Sequence, residues 1–282
     1  MGEGKVSIAR EPPFTRGSRQ RTGPGRWIGQ GWLVAAGLVC WELAARLGLV
    51  GNSLPAFTQA ASAWVNLLWS GTLVTDALTS SARVLAGFTL GGMLGIALGC
   101  SSAVLPRLAP AISNAVEIIR PVPPIAWIPL AILWFGVGTG AALFLVSLGA
   151  FFPVFVNAFH GVAAVPARYV NAARQLGASD RLILKDVLLP AALPQILVGL
   201  RVGLGTAWTT VIAAELVGAQ SGLGYMIQLH RTMLQTADVI AGMVTIGMVG
   251  VAMDRGFRAV HRRLVLWART VPGDPVGGHV AI

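Results

Sequence analysis

Residues 121–167 read PVPPIAWIPLAILWFGVGTGAALFLVSLGAFFPVFVNAFHGVAAVPA, bracketed by Arg120 and Arg168, with no Asp, Glu, Lys or Arg inside. A helix needs about 20 mostly apolar residues to cross a bilayer core. This run is too long for one crossing and long enough for two. Gly136-Val137-Gly138-Thr139-Gly140 supplies a turn between them. Working outward, four further mostly apolar windows appear. Arg26 and Arg46 bracket Trp27–Ala45, interrupted only by Glu42, and Arg83 and Arg107 bracket residues 84–106. Leu193–Val217 and Leu234–Gly256 complete about six expected spans, an all-α polytopic membrane protein. Residues 52–82 are less apolar, and an amphipathic helix is expected around Ala56–Leu68 on the outer face.

Composition agrees. The chain has 282 residues, 55% of them hydrophobic and 11% charged, with a mean hydropathy of +0.70. Soluble domains carry about 25% charged residues, so a soluble enzyme is argued against. The apolar excess excludes a disordered chain, and no Gly-X-Y period suggests collagen. The net charge is +10, and its placement matters more than its size. Lys5, Arg10, Arg16, Arg19, Arg21 and Arg26 lie before the first span. Arg255, Arg258, Arg262, Arg263 and Arg269 lie near the C-terminus. With six spans both groups share a face with Arg107 and with Arg168, Arg174, Arg181 and Lys185. That face is expected to be cytoplasmic, with both termini on it. The pattern indicates topology rather than nucleic-acid binding. Cys40 and Cys100 sit in apolar runs and are expected to be small buried hydrophobes. The first run begins near residue 27, outlasts a signal-peptide core and contains Glu42, so a retained anchor is expected.

The segment Val165–Pro190 is the most informative. Pro166 suits the first turn of a helix, and Gly177 suits the position just past its end. Ser179 or Asp180 can cap a second helix, and Pro190 closes that helix or begins the next span. Two short helices joined at Gly177 are expected on the cytoplasmic side. The small residues Ala172, Ala173 and Gly177 permit close approach by another chain. An amphipathic connector lying on the lipid surface would show the same periodicity.

Charges at membrane depth cost about 2.5–3.5 kcal/mol on the insertion scale, so each calls for a reason. Glu215 lies late in span five, either near the outer mouth of a path or hydrated at the interface. Glu42 and Arg46, four apart, suit a snorkelling ion pair. Arg120 can attract an oxyanion or serve packing. Arg201 either reaches back to the cytoplasmic interface or faces a path. Pro121, Pro123, Pro124 and Pro129 prevent a regular helix, and non-helical backbone at membrane depth is tolerated only against protein or a water-filled cavity. Residues 120–129 therefore either line a path or kink the entry to span three. His160, His230, His261 and His279 lack metal-ligand spacing.

Asn171-Ala172-Ala173, Gly177, Val187 and Leu189-Pro190 fall at the spacing of a cytoplasmic motif, and here the chain resembles the ABC-importer permeases. That motif runs Glu-Ala-Ala, three residues, Gly, nine residues, Ile, one residue, Leu-Pro. Asn171 stands in place of the glutamate and Val187 in place of the isoleucine. Residues 120–136, Gly199-Leu200-Arg201, Ala207-Trp208, Ala214-Glu215 and Ser221-Gly222-Leu223-Gly224 are similar to the nitrate, sulfonate and taurine branch. The resemblance covers roughly residues 54–267.

Composition and the span windows divide the chain into a disordered basic cytoplasmic tail (1–26) rich in Arg, Gly and Pro, a permease domain at 27–267 and a second cytoplasmic tail (268–282). The resemblance implies a permease dimer, expected to be a homodimer, in the inner membrane lipid bilayer. Two cytoplasmic ATPase subunits would bind ATP and Mg, and an extracytoplasmic binding protein would deliver the cargo. No cofactor is expected in this chain. The ATPase-coupling residues would be Ala172, Ala173, Gly177, Ala178, Ser179, Asp180, Leu189 and Pro190. Arg120, Pro124, Trp208 and Glu215 are candidates for the substrate path of a small anion such as an aliphatic sulfonate, taurine or nitrate. The chain's two lysines, Lys5 and Lys185, lie in no Gly-x-x-x-x-Gly-Lys-Ser/Thr loop, so ATP hydrolysis would fall to a partner. An ion-coupled secondary transporter is the alternative. It should show internal repeats and paired intramembrane charges, whereas the sequence offers isolated charges and no visible repeat.

Overall fold

The computed structural model describes residues 25–49, 54–105 and 109–264. Arg107 and the expected tails 1–26 and 268–282 lie outside them, apart from Gly25 and Arg26 in the first helix. Among the described residues there are helices and no strands. They run α1 (Gly25–Arg46), α2 (Phe57–Trp69), α3 (Thr72–Val104) and α4 (Ala109–Ile119), then a 3₁₀ turn (Pro124–Trp127), α5 (Ile128–Phe135) and α6 (Thr139–Ala163). After these come α7 (Ala167–Gln175), α8 (Asp180–Gly218), α9 (Leu223–Thr232) and α10 (Thr236–Leu264). Among the described residues four helices are long and apolar enough to cross a membrane: α3, α6, α8 and α10. A fifth crossing follows if α4 and Pro124–Phe135, bent by 85° from each other, make one broken span.

Helices α3, α6 and α8 form the core. Lipid is as apolar as a leucine side chain, so helices associate in it by close packing rather than by the hydrophobic effect. Glycines supply that closeness. Gly87, Gly91, Gly95 and Gly99 recur every fourth residue of α3 and all meet α6. A Cβ on Gly91 would stand 2.1 Å from the Ser147 carbonyl oxygen, and one on Gly99 would stand 2.6 Å from that of Phe155. The contacts advance together along both helices, so α3 and α6 run parallel. Helix α8 runs the other way along α6, with Gly203 against Ala150 and Gly161 against Ala192. Val84, Val146, Ala150, Ala207 and Val211 fill the shared interior.

The span boundaries differ from the charge-bracketed windows. Span two begins at Thr72, not after Arg83, because Arg83 is buried inside α3 with a partner. Span three is no regular helix, since the proline cluster interrupts it between Ile119 and Pro124. Span five reaches back to Asp180. Pro190 neither closes one helix nor opens another, because a π turn at Ile183–Leu188 carries the helix past it. There the Leu189 amide donates to the Leu184 carbonyl five residues back, a register that absorbs the donor proline lacks. Helix α2 matches the expected amphipathic segment within a residue. Cys100 is buried as expected, whereas Cys40 is exposed on α1.

Candidate functional site

The segment after α6 folds as two helices around a left-handed glycine. Pro166 is the N-cap of α7, one position earlier than the first turn expected for it. Gly177 has φ +82°, which suits a residue without a Cβ. Its amide donates to the Arg174 carbonyl at 2.9 Å, and the Ala178 amide donates to Ala173 at 3.0 Å. This paired closure is the Schellman arrangement. Ser179 then caps α8, its hydroxyl accepting from the Leu182 amide at 3.4 Å. Arg174 faces Asp180 at 3.3 Å across the turn, both well exposed.

The structure brings six of the coupling candidates together at this turn and leaves most of them open. Ala172, Gly177, Ser179 and Asp180 are exposed, and Ala173 and Ala178 are half-buried. Leu176 is 89% exposed, an apolar side chain standing free at the tip. Ala173, Leu176, Gly177, Ala178, Leu182 and Ile183 border a shallow concavity. Leu189 and Pro190 lie farther along α8, beyond the π turn, with Leu189 packed near Cys100, Ala158 and Ile196.

A second polar constellation lies at the opposite end of the bundle, where Gly138 donates to the Gly218 carbonyl at 2.9 Å. Glu215 is 1% exposed and Arg83 is 6% exposed. Arg83 Nη1 donates to Glu215 Oε1 at 2.7 Å and to the Ser221 carbonyl at 2.7 Å, and Nη2 donates to Ser221 Oγ at 2.8 Å. Ser80 Oγ lies 2.8 Å from Glu215 Oε2 and accepts the Leu223 amide at 2.9 Å. Gly222 donates to Asp76 Oδ1 at 2.9 Å, and Gly224 donates to Glu215 Oε2 at 3.0 Å. Three side chains from α3 and α8 thus satisfy the first amides of α9, whose positive end favours carboxylates. Gly222 has φ +104°, and a Cβ there would lie 2.3 Å from Glu215 Oε1.

The four path candidates separate. Glu215 is a packed ion-pair partner, not a hydrated interfacial carboxylate. Trp208 sits in the core cluster with Val84, Val146 and Val211, close to Gly250 of α10. Neither faces open space in this chain. Arg120 is exposed and Pro124 half-buried, both at the 85° break between α4 and α5. The expected Glu42–Arg46 pair forms at 2.7 Å, and Glu42 also accepts from the Thr58 amide and hydroxyl in the first turn of α2. Arg201 pairs with Asp254 at 3.0 Å. Among the described residues no group of three His, Cys, Asp or Glu is placed to hold a metal ion.

Sequence reasoning missed Asp76, Ser80 and Arg83. Their spacing was a signal, since residues at i, i+4 and i+7 share one helix face. Arg83 served as the edge of an apolar window instead, which hid that face.

Residues 91–266 match the family model described as binding-protein-dependent transport system inner membrane component. The permease protein SsuC of Bacillus subtilis (strain 168), named for aliphatic sulfonates transport, is 35% identical over 274 residues, 95% of this chain and 99% of that one. The taurine transport system permease protein TauC of Escherichia coli (strain K12) is 39% identical over 196 residues, 70% of this chain and 71% of that one. A solved structure of the MetNI methionine ABC transporter in an inward-facing conformation superposes with a TM-score of 0.52 and 25% identity, covering 69% of this chain and 98% of that one.

Proposed function

The chain belongs to the binding-protein-dependent transport system inner membrane component family, and we propose that it forms the path for a small anion of the aliphatic sulfonate or taurine type in an ATP-driven importer. Members of the family are transport permeases, not enzymes, and this chain is a multi-pass membrane protein of that kind. The cargo class follows the names of SsuC and TauC. The family match and the permease relatives favour the importer over an ion-coupled secondary transporter.

The turn at Gly177 carries the coupling assignment. Helix α8 has 39 residues, about 58 Å along its axis at 1.5 Å per residue. A bilayer core takes about 30 Å of that. The remaining length holds the α7–α8 turn away from the core, which supports a docking element over a connector lying on lipid. Exposed small residues and Leu176 give a partner ATPase a knob to grip. In this reading α1 is the sixth span, both termini are cytoplasmic, two copies of the chain pair, and a binding protein delivers cargo from the other side. Movement of the partner ATPases pulls on α7 and the head of α8, and a rigid-body tilt of the core opens the path alternately to each face. Arg120 and Pro124, at the broken span, border that path.

Proteoliposomes containing the chain with its ATPase and binding protein provide the test. Uptake of a labelled alkylsulfonate or taurine should require ATP hydrolysis by the separate ATPase chain. Uptake by this chain alone, driven by an ion gradient, would refute the importer assignment.

A further inference from the structure

Arg201 of α8 and Arg255, Arg258, His261 and Arg262 of α10 line one cleft between the two helices, of about 560 Å³. We propose that this cleft binds a phosphate-class oxyanion, which in a bilayer is the headgroup of an anionic phospholipid. The proposal rests on the permease reading only in placing this end of the bundle at a membrane surface.

Three observations carry it. The first is convergence. Arg255, Arg258 and Arg262 are spaced three and four apart, so they share one face of α10. Arg201 joins them from another helix. A basic excess that served topology alone needs no such gathering. The second is the charge left over. Asp254 takes Arg201 at 3.0 Å and Arg258 at 2.9 Å, bridging the two helices. Among the described residues it is the only carboxylate paired with the cluster, and neither Arg255 nor Arg262 has an ion-pair partner. Arg262 donates to the Arg258 carbonyl through Nε, which leaves the rest of its guanidinium available. The third is depth. Arg201 lies 17 residues from Gly218 and Asp254 lies 18 from Thr236, both at the opposite end of the bundle. At 1.5 Å per residue these are about 26 and 27 Å, near the edge of a 30 Å hydrocarbon core. Arg255, Arg258 and Arg262 continue past that edge into the headgroup zone. Basic pockets between membrane helices at that level suit phosphate headgroups, and guanidinium forks match phosphate oxygens in pairs.

The purified full-length chain in a neutral detergent tests this by native mass spectrometry with added phosphatidylglycerol, phosphatidylcholine or inorganic phosphate. Phosphatidylglycerol should be retained at least about tenfold better than phosphatidylcholine. Arg255→Gln and Arg262→Gln should each weaken retention about fivefold. Asp254→Asn should strengthen it, because Arg201 and Arg258 lose their internal counter-charge. A purely structural Asp254 bridge predicts the reverse, a lower unfolding midpoint with no gain in binding. Displacement of the lipid by inorganic phosphate supports the site with the phosphate group as the whole ligand. Binding that phosphate cannot displace supports it with the lipid as occupant. Equal retention of the two lipids overturns the proposal. So does undiminished retention by a folded Arg255→Gln/Arg262→Gln variant. Neither ATP nor cargo enters the readout, so a failure here is distinct from a failure of the transport assignment.

Discussion

The two ends of the bundle solve opposite problems with similar parts. Each places a glycine at positive φ between two helices, Gly222 at one end and Gly177 at the other. Around Gly222 three successive amides, those of Gly222, Leu223 and Gly224, are taken by side chains from other helices, and Glu215 crowds the missing Cβ. Around Gly177 the turn closes on its own backbone, and a Cβ would meet nothing within 4 Å. The first turn is locked by the rest of the chain. The second is rigid in itself and bare on its outer side. If movement passes from partner to path as proposed, the chain needs both: one end that holds the helices in register, and one end that a separate chain can seize.

The sharpest way to break the locked end is to remove its central charge. Glu215→Ala leaves Arg83 buried without its partner, and loss of one member of a buried pair costs about 3–5 kcal/mol. The unfolding midpoint in detergent should fall accordingly. Replacing both residues, as Arg83→Met with Glu215→Met, should recover part of that loss, because a buried pair often adds little over apolar side chains. A double variant no more stable than Glu215→Ala would show that Ser80, Gly224 and Ser221 depend on the pair for their own hydrogen bonds.

Gly222→Ala comes next. Its methyl would have to displace the Glu215 carboxylate, and its backbone would hold an unfavourable φ at a cost of about 1–3 kcal/mol. Faster amide exchange at Leu223 and Gly224 should accompany the drop in midpoint. An unchanged midpoint would mean that the turn is not locked as described.

The exposed end should respond differently to the same kind of change. Gly177→Asp keeps a left-handed residue in open space and should lower stability by only about 1–2 kcal/mol. Insertion into the membrane should be normal. Co-purification with the ATPase should fall about tenfold or more, since a buried charge at an interface centre is costly. A variant that still binds the ATPase and transports normally would remove this turn from the coupling role.

What the sequence made legible follows from how each feature is encoded. Helix existence was plain wherever charge was absent over 20 residues, as in α6. The turn at Gly177 was plain because Pro166, Gly177 and Ser179 are local signals whose meaning does not depend on distant partners. The Arg83–Glu215 node was not. Its members are 132 residues apart, and a lone arginine reads as a span edge until its partner is located. The glycine ladder of α3 was written in the sequence at a four-residue period, yet only the Ser147 and Phe155 carbonyls show which helix it meets. The long reach of α8 was hidden because Pro190 signals a break, and the π turn that defeats that signal has no distinct sequence mark.

Asn171 is the smallest lever and the most specific one. It stands on the exposed side of α7 where the resembled motif has glutamate. An exposed substitution there should move stability by no more than about 0.5 kcal/mol. If the partner ATPase presents a basic group to this position, Asn171→Glu adds one exposed ion pair, worth up to about 1 kcal/mol, or roughly fivefold in affinity at low salt. Raising the ionic strength should erase that gain, because the pair is solvent-accessible. A fall in affinity instead would mean that this chain's ATPase has a surface matched to the neutral amide. The contact would then be set pair by pair, while the locked end of the bundle stays indifferent to the change.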